Sequence, residues 1–597
     1  MTPIGESVTR LEDGPLLTGS GRFADDYNFP GQLHMRVVRA PSAHGRIAAI
    51  HTDEALAMPG VVAVWTGADV ADIPPIDFRL SRVAGLEPYR QPVLAQGIVR
   101  YVGEPVALVF AEERYIAEDA AEAVLVEVDG EAPYLDCTAA PPRFLPGLDC
   151  EAALVEKYYG DLDAAFAAAD HVLALEFAVG RHSGVPIETR GAIEDRRENL
   201  LALNHSRDQV HRIRAAIDES GFVLGLDDEI FSDQGAYVRS HGVTVVDLAT
   251  AMLPGPYLIP AYRARAHVRL TNKTPAGTYR APGRYESTFA RERLLDAVAD
   301  RVGIDRIEVR RRNLIPADRM PYSRYFQAME TPVLLDSGLY ENLLDRLLER
   351  VGYPTLQAEI ARRREAGACV GLGLGYFVEK SGLGPFDDVR VEIAADGGIE
   401  VITGVASVGQ GVETAVAQIC AEALGTDYRS ISVTHGQTDR IERGMGAYPY
   451  GIHLVQLAID RETCGIEIER FAVAFDIGRA VNPMLVEGQI HGGAAQGLGG
   501  ALYEEFLYDD SGQPLSASFV DYLIPGSEEI PRIESLVRED APSGTNPLGL
   551  KGAGEAGING AGAAVAAAID DAIGRPGAIA RLPVTPARLH ALLNEEA

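Results

Sequence analysis

Glu555 is the ionisable acid inside Lys551-Gly-Ala-Gly-Glu-Ala-Gly-Ile-Asn-Gly-Ala-Gly562, a run with five glycines in twelve residues. Glycines let a backbone approach a ligand closely and turn its N–H groups inward. The alanine-rich segment 563–573 that follows reads as a helix whose N-terminus faces the same place. A carboxylate in such a loop packs nothing, but it can hold a proton acceptor beside a bound molecule. The competing reading of this loop alone is a flexible surface turn with an incidental glutamate.

Two more glycine-rich stretches lie in the last third of the chain, and both carry glutamine: Gln410 in Gly404-Val-Ala-Ser-Val-Gly-Gln-Gly411, and Gln489 and Gln496 in the run 488–500. A primary amide offers two donors and an acceptor, which suits a heterocycle with mixed edges such as a pterin. Each stretch alone is ordinary strand-to-helix scaffolding; three together point to a large flat or phosphate-bearing cofactor. None has the spacing of a phosphate-cradling nucleotide loop or of a dinucleotide fingerprint.

The elements that must position these residues follow from periodicity. In 1–150, strands at 34–39, 61–66, 105–111 and 124–128 alternate with helices at 52–58 and 114–123, a compact α/β unit closed by Pro141-Pro142 and Pro146-Gly147. In the middle, Phe289, Leu294, Leu295, Val298 and Val302 repeat at helical spacing, Gly303 stops the helix, and Asp305 caps another through Arg312. Strands at 389–393 and 399–403 lead through the Gln410 turn into a helix at 412–424, and a strand at 466–476 precedes the run 488–500.

With 597 residues and 47% apolar content the chain is long enough for several cores. Its 86 acidic against 54 basic residues give a net charge of −32, which disfavours nucleic acid and anionic membrane surfaces as partners. Cys137, Cys150, Cys369, Cys420 and Cys464 are scattered, without the spacing of a zinc or iron–sulfur site or of a disulfide framework. No basic-then-apolar leader and no run of eighteen apolar residues occurs, so a soluble cytoplasmic protein is expected.

Across nearly its whole length the chain resembles the molybdopterin-binding large subunit of the xanthine dehydrogenase and aldehyde oxidase family, including the carbon monoxide dehydrogenase branch. Arg10-Leu-Glu-Asp-Gly-Pro-Leu-Leu-Thr-Gly-Ser-Gly-Arg-Phe23, Val102-Gly-Glu-Pro-Val-Ala107 and 114–127 are similar to that family's hammerhead domain. Arg181-His-Ser-Gly-Val-Pro-Ile-Glu-Thr-Arg-Gly191, Asp233-Gln-Gly-Ala-Tyr237, Thr278-Tyr-Arg-Ala-Pro-Gly-Arg284, Val408-Gly-Gln-Gly411, Asn482-Pro483 with Gly488-Gln-Ile490, and Gly552-Ala-Gly-Glu555 are similar to its cofactor-domain motifs, in the family's order. An unrelated glycine-rich adhesion protein would need that order to be accidental.

The resemblance implies an α/β (mixed α+β) architecture: a hammerhead domain over 1–150 and molybdopterin-binding domains over 151–385 and 386–597. It implies a molybdopterin cofactor with molybdenum, in the cytosine dinucleotide form used by bacterial members, held through the pterin and not by direct protein ligands. Gln410, Gly411, Gln489, Lys551, Gly552 and Gly554 match cofactor-binding positions. Glu555 matches the general base that takes the proton of a metal-bound hydroxyl, and Arg280 the arginine that faces substrate and stabilises developing negative charge. The structural alternative for Arg280 is an ion pair with Glu286.

The copper-binding cysteine of carbon monoxide dehydrogenases is replaced by Ala281 after Tyr279-Arg280, so no soft ligand for Cu(I) is present there. The expected chemistry is therefore hydroxylation of an aldehyde or N-heterocycle. With no iron–sulfur cysteines and no flavin motif in this chain, electrons must leave through a 2Fe-2S small subunit and an FAD-binding medium subunit, in a dimer of heterotrimers. Two family segments are missing: Gly191-Ala-Ile runs straight into Glu194-Asp-Arg-Arg-Glu198, skipping a Gly-Gly-Phe-Gly loop, and Gly444-Met-Gly-Ala447 into Tyr448-Pro-Tyr-Gly-Ile-His453, skipping a Ser-Arg motif. A second expectation follows from those gaps: a catalytically inactive or incomplete relative that assembles with the other subunits but binds no molybdenum.

Overall fold

The computed structural model describes residues 3–23, 26–78, 83–186, 196–382, 389–436 and 447–594. The first join, near 192–194, lies outside the described residues, and the second abuts them at Ala447.

Two three-stranded antiparallel sheets form the N-terminal α/β unit. One has Pro105–Ala111 at its centre between His34–Arg39 and Val61–Thr66, and the other has Gly45–His51 between Ile98–Val99 and Leu125–Gly130. The sequence reading passes over Gly45–His51, whose alternate residues are only half covered. Helix Arg114–Glu122 buries Ala117 and Ala120, the latter in a core that includes Val38, Val106 and Val109.

A six-stranded mixed sheet follows, in the order Arg581–Leu582, His171–Ser183, His205–Ile217, Val223–Asp233, Ala261–Arg269, Glu151–Tyr159. Beyond it stands a four-stranded sheet in the order Cys369–Val378, Tyr450–Ile459, Ile466–Asp476, Ile533–Arg538. Helix Arg284–Val302 packs against strands of both sheets. The periodicity predicts one apolar face, yet much of the polar face is buried as well, because the buried charges on it find partners. Glu292 accepts from Arg291, Arg310, the Tyr257 hydroxyl and the Tyr376 N–H, while Arg293 bridges Asp296 and Asp570. Gly303 ends the helix at φ +70°, and Asp305 caps Arg306–Asn313 through the N–H groups of Ile307 and Glu308.

Helix Ala561–Ile573 is pressed onto the strand Cys369–Val378 by a match of small residues. Gly371, Gly373 and Gly375 alternate along the strand, so all three face the helix. A β-carbon on Gly371 would stand 2.0 Å from Ala568 O, and one on Gly373 would stand 2.0 Å from Ala564 O. The alanine run is thus the other half of a glycine stripe.

The run 488–500 forms no loop. It lies within helix Pro483–Leu502, with Pro483 at its first position and Asn482 as its cap. Its glycines serve contact with the Glu555 loop: a β-carbon on Gly493 would meet Gly557 at 2.8 Å, and one on Gly497 would meet Ala561 at 2.4 Å. A further three-stranded sheet, Val389–Ile393, Ile399–Thr403 and Ile431–His435, carries helix Val412–Leu424. Among the described residues no helix is long and apolar enough to cross a membrane.

Candidate active site

A cavity of about 470 Å³ opens where the turn after Gly277, the end of strand Cys369–Val378 and the Gly552–Glu555 loop converge; Tyr279, Arg280, Arg284, Glu379, Lys380 and Glu555 line it. Each wall has a local cause. Gly283 takes φ +72° where a side chain would strike Val245 O at 2.2 Å, so the turn folds down onto helix Gly242–Met252. Behind it, buried Arg207 donates to Arg280 O and Ala281 O and lies over the rings of Tyr279 and Tyr285. Glu286, the ion-pair alternative for Arg280, pairs instead with Arg207.

Arg280 is tied to the opposite wall. Its Nε donates to Gly554 O, its Nη1 to Gln496 Oε1 at 3.0 Å, and its Nη2 to both Gln489 O and Gln489 Oε1 at 2.9 Å. The two glutamines sit two helical turns apart on Pro483–Leu502 and so share a face.

Glu555 Oε1 accepts from the Ala281 N–H at 2.9 Å, and Oε2 from Arg284 Nη2 at 2.5 Å. Burial pushes this carboxyl upward, but the Arg284 guanidinium, the Glu379 carboxyl, the Ala281 N–H and Arg280 outweigh it and hold it below the usual range. Glu379 goes the other way: burial, reinforced by Glu555, raises it well above that range despite Arg284.

Five of the residues expected at the site, Glu555, Arg280, Gln489, Gly552 and Gly554, meet at or directly against this cavity, and Gln496 joins them. Three do not. The Gln410 amide closes its own turn, accepting from Val408 N at 2.6 Å and donating to Ala406 O at 3.2 Å. Gly411 stands at the start of helix Val412–Leu424 with φ +78°, against Leu485 and Arg10. Lys551 turns inward, its Nζ 4.9 Å from the centre of the Tyr450 ring and 3.9 Å from Asp476 Oδ1.

The reading from sequence missed Arg207, Arg284 as a carboxylate clamp, Glu379, Lys380 and Asn559. The available signal for Glu379-Lys380 was a pair of opposite charges closing a ten-residue apolar strand, where burial without a partner is costly.

The hammerhead-domain model of aldehyde oxidase and xanthine dehydrogenase matches residues 18–131. Molybdopterin cofactor-binding domain models match 192–314 and, in two stretches, 346–448 and 446–531. The chain is 35% identical over 757 aligned positions to the 6-hydroxypseudooxynicotine dehydrogenase complex subunit gamma of Paenarthrobacter nicotinovorans, covering 98% of this chain and 95% of that one. It is 27% identical to the carbon monoxide dehydrogenase large chain of Hydrogenophaga pseudoflava, covering 95% of this chain and 94% of the relative. The crystal structure of quinoline 2-oxidoreductase from Pseudomonas putida 86 superposes with a TM-score of 0.92 at 27% identity, over 100% of this chain and 98% of that one.

Hammerhead domain first and two molybdopterin cofactor-binding domains after it define a large subunit of the molybdenum hydroxylase class. The chain belongs to the xanthine dehydrogenase and aldehyde oxidase family.

Proposed function

We propose that the chain is the catalytic large subunit of a hydroxylase that adds water-derived oxygen to an electrophilic carbon of an N-heterocycle or an aldehyde. The observation that carries this is the Glu555 carboxylate, anchored through both oxygens, lining the same cavity as Arg280. The cavity suits the reacting end of a molybdopterin: nothing lies within 4 Å of where a β-carbon on Gly554 would be, and Gly552 and Gly554 line the wall beside the carboxyl groups of Glu379 and Glu555. When bound, that group supplies the oxygen and accepts two electrons.

Within the chain, Glu555 receives the proton released as the carbon–oxygen bond forms, and the Ala281 N–H and Arg284 keep it ionised and aimed. Arg280 sets positive charge beside the reacting carbon, and Gln489 and Gln496 fix its plane. Ala281 offers no thiolate, which supports hydroxylation over carbon monoxide oxidation. The substrate class is supported by the names of the relatives, a dehydrogenase of a nicotine derivative and an oxidoreductase of quinoline. The reading further takes the cytosine dinucleotide form of the cofactor, a cytoplasmic location, and 2Fe-2S and FAD partner subunits paired as a dimer of heterotrimers.

One observation favours a second reading, an assembly subunit without molybdenum. The alignment runs over 757 positions although the chain has 597 residues, and the family match restarts at 446 after ending at 448. Metal analysis decides between them: about one molybdenum per chain, with oxygen from labelled water appearing in hydroxylated quinoline or in a carboxylic acid, establishes the hydroxylase. Absence of molybdenum in a chain of the expected intact mass establishes the second reading, and carbon monoxide oxidation sinks the substrate class.

A further inference from the structure

Glu379 and Glu555 are two carboxyls held by one guanidinium. Arg284 Nη1 lies 2.6 Å from Glu379 Oε1, and its Nη2 lies 2.5 Å from Glu555 Oε2. The two halves of this clamp are unequal. Arg284 Nη1 is already donating to Lys380 O at 2.7 Å, and Glu379 Oε1 forms no aligned hydrogen bond at all. Glu379 Oε2 receives the neutral amide of Asn559 at 2.7 Å, and the same Nδ2 reaches Glu555 O at 3.1 Å. Glu555 instead takes a backbone N–H and a charged N–H and faces the cavity.

A carboxylate buried as deeply as Glu379, whose side chain is 3% exposed, needs several donors to stay charged. Its one aligned donor is the neutral Asn559 amide, and the Arg284 guanidinium at 2.6 Å is shared with Glu555 and Lys380 O. As an acid it needs only an acceptor for its proton, and the carboxylate that shares its guanidinium is Glu555.

We propose that Glu379 is a positioning residue for Glu555: the pair shares one proton, with Glu379 the neutral donor and Glu555 the charged acceptor that faces substrate. This rests on the reading of Glu555 as general base. The charged and titratable groups around the pair are Arg284 from the long helix, Glu555 from the glycine loop, Lys380 next in the chain with Asp247 beyond it, and Arg280 on the far side of Glu555. The direction of both carboxyls, Glu379 up and Glu555 down, agrees with the division of roles. The device keeps a second negative charge away from the base while supplying it a hydrogen bond that turns with no solvent.

Two substitutions separate donor from charge. Glu379→Gln stays neutral and keeps an N–H for Glu555; Glu379→Met is similar in length and donates nothing. In the holoenzyme the acid limb of kcat/KM should stay within about 0.3 pH unit of wild type in Glu379→Gln and move up by about one unit in Glu379→Met. An unmoved limb in a folded Met variant overturns the proposal, as does a Gln variant that shifts as far as Met.

A readout independent of turnover is the pH-difference infrared spectrum of the purified chain. A protonated-carboxyl band at neutral pH that vanishes in Glu379→Gln is expected, and a spectrum unchanged by the substitution overturns it. Because the folded state holds this proton more tightly than the unfolded one, the stability it contributes is full below about 4.5 and is lost as pH rises through the folded value. The melting temperature of Glu379→Gln relative to wild type should therefore climb from pH 5 to pH 8; a flat difference overturns the proposal even if the Met variant does not fold. Should Glu555→Gln retain full turnover, the base reading fails while the band still reports the shared proton.

Discussion

Arg280 and Gln489 are joined twice, the Nη2 of the guanidinium donating to both the main-chain carbonyl and the side-chain oxygen of the glutamine at 2.9 Å. This fastens the turn that follows Gly277 to helix Pro483–Leu502, and with Gln496 and Gly554 it uses the guanidinium fork in three directions. A lysine cannot reproduce that, because an ammonium is a point donor.

Arg280→Lys should therefore lower kcat/KM by about a hundredfold to a thousandfold, on the order of 3–4 kcal/mol, although the charge is kept. Three oxygens would lose a donor, so a fall of several degrees in the melting temperature should accompany it. Steady-state kinetics beside a thermal melt check both, and unchanged kinetics would remove Arg280 from the reaction.

Glu555→Gln should abolish proton uptake while leaving the Ala281 N–H an acceptor, and turnover should drop by about 10²–10⁴-fold with molybdenum content unchanged. The sign of the pH dependence is set by the lowered carboxyl: above 4.5 it is already ionised, so the wild-type kcat/KM should be flat down through pH 5 and fall only beneath 4.5. An acid limb near pH 6 or 7 would assign the base to another group.

What periodicity governs was legible in the sequence. The apolar spacing of Phe289, Leu294, Leu295 and Val298, the stop at Gly303 and the Asp305 cap reappear as a helix and its capped successor. Run 488–500 was not legible as helix, since glycine disfavours one locally and only the contacts with Gly557 and Ala561 explain it. Motif matches located Arg280, Gln489 and Glu555, but a match carries no direction for a side chain: Gln410 folds back on its own turn and Lys551 points into a core. Glu379 was hidden because its meaning depends on Arg284 and Asn559, far away in the chain.

Glycine contacts give a paired stability test. A β-carbon on Gly373 would lie 2.0 Å from a carbonyl oxygen of helix Ala561–Ile573, which must then move off the strand, so Gly373→Ala should cost about 1–3 kcal/mol or more. Gly488 lies inside helix Pro483–Leu502 with nothing within 4 Å of the same position, so Gly488→Ala should gain about 0.5–1 kcal/mol by restricting the unfolded chain. Chemical denaturation of the two variants should move in opposite directions; parallel shifts would deny the glycine stripe its packing role.

Glu104 links the hammerhead unit to the six-stranded sheet. Buried to 1% exposure, it accepts from the Tyr237 hydroxyl and from the Arg100 N–H, yet burial pushes its carboxyl to about 7, these donors and the Arg100 charge offsetting only part of the cost. A folded value above the unfolded 4.5 means that the folded chain binds this proton more tightly. Its stability contribution is then full below 4.5, shrinks as pH rises, and is gone above about 7, a change of roughly 3 kcal/mol at 1.36 kcal/mol per unit. Glu104→Gln keeps a neutral hydrogen-bonding group of the same shape, so it should melt close to wild type at pH 5 and above it at pH 8. Scanning fluorimetry of the two proteins across that interval checks the sign, and a variant that is less stable at pH 8 than at pH 5 relative to wild type would show that Glu104 is held there as an anion by Tyr237 and Arg100.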